Sequence, residues 1–170
     1  MEGAIWSGFR DFTLVCVPSS SHHYSSFFEP TIDLSDRNAP YVFGIRAAAT
    51  AIATGNTTIL KGSELTPRCF WALGQAFSDA GLPAGVLNII FSNPSQAPEV
   101  VNAMIEHPAV KKVNFTGSAN TGRKVARACG QNLKPCLMEL GGKNSAIILP
   151  DANLEKAAKA CIAGSFLNVR

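Results

Sequence analysis

The sequence predicts a doubly wound, mostly parallel α/β sheet, on three observations. Short apolar or β-branched runs of about five residues alternate with helical patterns of about twelve. The 170-residue chain is 46% hydrophobic and only 16% charged, a balance suited to a sheet covered on both faces. Helix punctuation (a capping residue, an early Pro, a closing Gly) falls between the runs. No internal repeat is visible.

Each element can be justified in order. Residues 1–37 are serine-rich, lack helical period and read as an irregular N-terminal segment, with "FTLVCV" (12–17) their one strand candidate. From Asn38 the text is regular. "APYVFGIRAAATAIATG" is apolar almost all round, which predicts a buried helix ending near Gly55. "TTIL" (57–60) is a short strand. In "TPRCFWALGQAFSDAGLP", Thr66 is placed to cap, Pro67 to start and Gly81 to stop a helix, with Phe70, Leu73 and Phe77 on one face. "GVLNIIF" (85–91) is a strand, and "SQAPEVVNAMIEHP" is a helix stopped by Pro108. "KKVNF" (111–115) is a strand, and "SANTGRKVARACG" is a helix ended by Gly130. "CLMEL" (136–140) and "SAIIL" (145–149) are strands. The last helix, "DANLEKAAKACIAGSF", has Asp151 to cap it and Leu154, Ala157, Ala158, Cys161 and Ile162 along one face.

The bulk numbers exclude several functions. A net charge of +3 is too small to argue for nucleic acid, and three histidines are too few for a His-rich metal site. The five cysteines form no CxxC and no zinc spacing, as expected of reduced thiols inside a cell. The first residues do not read as a secretory signal, and no window has the ~18 apolar residues of a membrane span. A soluble, cytoplasmic protein is the expectation.

Three stretches carry chemistry. Right-handed crossovers put the C-terminal ends of parallel strands on one edge, where ligands of such sheets gather. In "VNFTGSANTGRKVARA", a strand meets a helix start through Thr116, Gly117 and Ser118. Free N–H groups and the helix dipole there suit a phosphate, although an ordinary β–α turn with a Ser cap reads the same. In "ILKGSE", Lys61 and Glu64 follow a strand on the same edge. They are placed to hold ribose hydroxyls, or they form a solvated surface pair. In "MELGGKN", Glu139 lies near the end of an apolar strand that two glycines follow closely. A carboxylate there is expected to be partly desolvated, as a general base needs, or is an edge glutamate before a turn.

Together, in order and spacing, "NTTILKGSELTP", "VNFTGSANTGRKVA" and "LMELGGKNSAIIL" resemble the aldehyde dehydrogenase family, from about Asn38 almost to the C-terminus. The resemblance implies a Rossmann-like cofactor domain, here incomplete, and oxidation of an aldehyde to a carboxylic acid with NAD, or NADP. It implies that a cysteine thiolate attacks the aldehyde and that a glutamate activates the water releasing the acid. On this match Glu139 is the general base and Asn38 donates its amide to the oxyanion. Lys61 and Glu64 hold the adenosine ribose, and Thr116, Gly117 and Ser118 face the pyrophosphate. It further implies a small aldehyde as substrate and homo-oligomeric assembly. The domains become 1–37 as an irregular or non-family N-terminal segment, 38–149 as the nucleotide-binding α/β portion and 150–170 as the truncated start of the catalytic portion.

The departures are specific. Arg37 stands where the family has an aromatic, and the strand preceding Asn38 is not recognisable in residues 1–36. "AGSFLNVR" resembles the approach to the nucleophile, an NxGQxC-like run. Asn168 fits its start, but Arg170 stands at its glycine and the cysteine is not reached. Cys136 and Cys161 are expected to be buried, with Cys69 and Cys129 on cofactor-domain helices, so none reads as the nucleophile. The expectation is a chain without turnover by itself and of marginal solubility. A non-catalytic dinucleotide-binding remnant and an interaction module remain alternatives.

Overall fold

A computed structural model describes residues 13–15, 31–34, 38–142 and 145–166. The elements, in chain order, are β1 (Thr13–Val15), β2 (Thr31–Leu34), α1 (Pro40–Ala53), β3 (Thr58–Lys61), α2 (Pro67–Asp79), β4 (Leu87–Phe91), α3 (Ala97–Glu106), β5 (Lys112–Gly117), α4 (Ala119–Gln131), β6 (Cys136–Leu140) and α5 (Leu154–Phe166). The strands form one sheet in the order β1-β4-β3-β2-β5-β6. β2 to β6 are mutually parallel, and β1 adds antiparallel to β4.

This is the doubly wound, mostly parallel α/β sheet that the sequence predicts. Alternation along the strands divides the core in two. On one face Leu60, Leu87 and Ile89 pack with Ala48 of α1 and with Phe70 and Leu73 of α2. On the other, Ile32, Leu34, Val113 and Phe115 pack with Ile105 of α3 and with Val125 and Cys129 of α4. The chain runs outward from β2 through β3 to β4, then returns to place β5 on the other side of β2. The winding therefore reverses between β2 and β5, the position at which open α/β sheets form a crevice.

The structure departs from expectation in several places. β2 was not recognisable in residues 1–36, yet it is fully buried at the centre of the sheet. α1 buries Gly44, Ala48 and Ala51, but Tyr41, Val42 and Ile45 are exposed. Its small-residue face is the side toward β3 and α2, and its bulkier side has no cover among the described residues. Thr66 makes no capping bond to α2, and its hydroxyl is buried without a partner among the described residues. Residues 145–149 form no strand: Ile147 is 88% exposed, and the described residues offer the run no neighbouring strand to pair with. Asn153, not Asp151, caps α5, with Oδ1 accepting from the Lys156 N–H at 2.9 Å. No residue of α5 is buried. Cys136 is exposed and Cys161 half-buried, against the burial expected of both.

Candidate functional site

Four strand ends and one helix start converge on the rim where the parallel strands finish. Registry aligns Lys61 of β3 with Leu34 of β2, and Leu34 with Phe115 of β5. It also pairs Thr116 with Glu139 across β5 and β6. Asn38 lies between β2 and the start of α1, and Glu64 between β3 and the start of α2. All seven residues singled out in the sequence therefore lie along one edge of the sheet.

Lys61 is 8% exposed, so it is not the solvated surface lysine of the plainer reading. Its Nζ is 3.4 Å from the Gly62 carbonyl oxygen and 3.6 Å from Glu64 Oε2. A cation held at the rim beside a carboxylate offers donors and acceptors together, the set that vicinal hydroxyls need.

The Thr116–Ser118 corner is built by packing. A Cβ on Gly117 would lie 2.7 Å from the Phe115 ring, so glycine is required there by its own strand neighbour. Ser118 caps α4: its Oγ accepts from the Thr121 N–H at 3.2 Å and lies 3.0 Å from Thr121 Oγ1. The cap uses the Thr121 amide, so those of Ala119 and Asn120 have no intrahelical acceptor and point out of the helix start. At Gly122 an added Cβ would lie 2.5 Å from Leu140 Cδ2, which lets α4 sit close to β6.

Glu139 is half-buried in β6, as a partly desolvated carboxylate would be, and it has a partner that the sequence did not suggest. Its side chain is 41% exposed and ion-paired with the Arg46 guanidinium from α1, 93 positions earlier. The two close one side of a cleft of about 100 Å³ whose walls include Asp33, Thr50, Asn114 and Thr116. At its base Asp33 is 1% exposed. Burial pushes its carboxyl above the usual aspartate range, against bonds donated by Thr58 Oγ1 and Asn114 Nδ2, each at 2.7 Å. The Asn114 Oδ1 is buried with no partner among the described residues.

Sequence reasoning missed Arg46, Asp33 and Asn114. Arg46 had a signal, as the lone charge in an apolar helical stretch. Asp33 had a weaker one, an acid inside a β-branched run. Arg37, Asn168 and Arg170 lie outside the described residues.

A reversal of winding, a capped helix start at the strand ends and charged groups along that rim define a Rossmann-like α/β domain of the dinucleotide-binding class. The comparisons narrow the class. The pattern of the aldehyde dehydrogenase family matches residues 37–169. Vanillin dehydrogenase from a Pseudomonas species (strain HR199) is 46% identical over 77% of this chain and 27% of its own length. The crystal structure of a salicylaldehyde dehydrogenase from Pseudomonas putida G7, complexed with salicylaldehyde, superposes with a TM-score of 0.77 at 41% identity, over 82% of this chain and 29% of that one. A mutant of aldehyde dehydrogenase C from Pseudomonas syringae, in complex with NAD+ and octanal, superposes at 0.73 with 34% identity, over 93% and 30%. The chain belongs to the aldehyde dehydrogenase family, and it spans less than a third of the length of these relatives.

Proposed function

We propose that these residues are the cofactor-holding part of an enzyme that oxidises an aldehyde to a carboxylic acid with NAD or NADP. The single observation that carries this reading is the common rim, where Lys61, Glu64 and the Ser118-capped start of α4 lie at the ends of β3 and β5, the parallel strands that flank β2. The donor set there fits a dinucleotide. Outward amides and the helix dipole at α4 suit a pyrophosphate, while the Lys61–Glu64 pair suits two ribose hydroxyls. The Glu64 carboxylate repels a 2′-phosphate, which favours NAD over NADP.

NAD or NADP, when bound, supplies the hydride acceptor. The residues of this chain do the rest of what we assign here. Glu139 takes a proton from the attacking water, and Arg46 holds its carboxylate at the mouth of the cleft. The Asn38 side-chain amide donates to the oxygen that gains charge when the aldehyde carbon is attacked. An aromatic aldehyde is the substrate class suggested by the names of the vanillin and salicylaldehyde relatives. We assign residues 150–170 to the start of the catalytic portion, and no turnover to the 170 residues alone.

Calorimetry with NAD tests the reading on the chain as it stands. We expect binding that Lys61→Ala and Glu64→Ala each weaken by about tenfold, the loss of one charge-assisted contact of roughly 1.4 kcal/mol. Absence of NAD binding by the folded chain would overturn it. Reproducible aldehyde oxidation that depends on Glu139 would overturn the assignment of no turnover.

A further inference from the structure

We infer that Cys129 and Cys136 form a peroxide-sensitive dithiol that closes to an intramolecular disulfide. Two independent features place them together. α4 packs on the sheet face that carries Val113, and Cys129 is fully buried in that cluster. Cys136 is the registry partner of Val113 at the start of β6, so its side chain belongs to the same face. The turn between them is held by the Lys134 N–H donating to the Cys129 carbonyl at 2.9 Å. α4 packs directly against β6, and Cys136 is the neighbouring thiol that acts on Cys129.

The two sulfurs differ in a useful way. Cys136 is exposed and meets solvent first. Burial, reinforced by the neighbouring Cys136, pushes the Cys129 thiol up to about 11, so it stays protonated and is not the first sulfur to react. One sulfur that an oxidant can reach, backed by one that it cannot, is the arrangement of a reacting and a resolving cysteine.

The chemistry balances with a hydroperoxide as oxidant. The Cys136 sulfur attacks a peroxide oxygen: an S–O bond forms, the O–O bond breaks, and water or an alcohol leaves. The Cys129 sulfur then attacks the Cys136 sulfur of the resulting sulfenic acid. The S–S bond forms, the S–O bond breaks, and the departing hydroxide takes the Cys129 proton as water. Two thiols are oxidised by two electrons, and the peroxide is reduced. The product ties the last turn of α4 to the first residue of β6.

The test uses the reduced 170-residue chain and one equivalent of hydrogen peroxide, read by intact mass and peptide mapping. The expected result is a monomer lighter by about 2 Da, with one crosslinked peptide pair containing Cys129 and Cys136, reversed by dithiothreitol. In Cys129→Ala, Cys136 should persist as a sulfenic acid that dimedone traps. In Cys136→Ser, a surface change, Cys129 should stay reduced. The inference is overturned if wild-type Cys136 is trapped by dimedone as fully as in Cys129→Ala, or if oxidation joins other thiols or two chains. If Cys129→Ala does not fold, the wild-type map and Cys136→Ser decide the question.

Discussion

Residues 31–140 and residues 145–166 are written in the same sequence language, and they behave differently. Both contain β-branched runs and helices with a correct start. In the first region the apolar residues meet across the sheet, and Phe70, Ile32 and Val113 are fully buried. In the second, Ile147, Leu154, Ile162 and Phe166 are each more than 60% exposed, although α5 is as regular a helix as α4. Pattern and capping are enough to form an element, but burial needs an opposing surface. The difference locates the folding energy of the described residues in the sheet and its four packed helices.

The strongest way to break that contrast is a pair of large-to-small changes. Phe70→Ala should cost about 3–5 kcal/mol by removing a ring at the centre of one core. Ile162→Ala in α5 should stay within about 0.5 kcal/mol, as for an exposed site. Urea denaturation of both variants would measure this, and equal losses would place α5 in the core.

A second pair sharpens the contrast through glycine. A Cβ at Gly62 would lie 2.6 Å from Phe91 and 2.8 Å from Phe70, against rings that are packed together. Gly62→Ala should therefore cost about 1–3 kcal/mol by overpacking. Nothing lies within 4 Å of a Cβ at Gly164 in α5. The same change there should stabilise by up to about 1 kcal/mol through helix propensity. Opposite signs in thermal melts are the expected outcome.

The smallest effect concerns what the buried half tolerates. The folded-state carboxyl of Asp33 titrates above its unfolded value, with burial as the main cause. Its contribution is fully present below the unfolded value and is lost as pH rises through the folded one. Asp33→Asn does not titrate, so its stability relative to wild type should climb with pH over that window and then level. Melts from pH 3 to 8 would show it, and a difference independent of pH would contradict the assigned burial cost.

Much of the sheet was legible because its strands stand between strong breaks. β6 matches its expected span residue for residue, and Gly81, at φ 83, stops α2 where the glycine suggested. β2 escaped notice because four residues with an aspartate among them carry too little periodicity, and what marks them as a strand is the pair of neighbours found only in three dimensions. Asn153 outcompeted Asp151 as a cap because its position, three before Lys156, suits the N–H that needs an acceptor. The position of Lys61, Glu64, Ser118 and Glu139 on one rim was legible because each sits beside its own strand end. Arg46 could not be assigned to Glu139, since no local rule links residues 93 positions apart.

The central place of β2 has a consequence for biosynthesis. The Asp33 carboxylate waits for Asn114, 81 residues downstream, before the middle of the sheet can close. At about 5–20 residues per second, the nascent strand has no permanent neighbour on that side for roughly 4–16 s. During that interval one edge of β2 stays unpaired on the growing polypeptide, an edge of the kind that invites pairing with other chains.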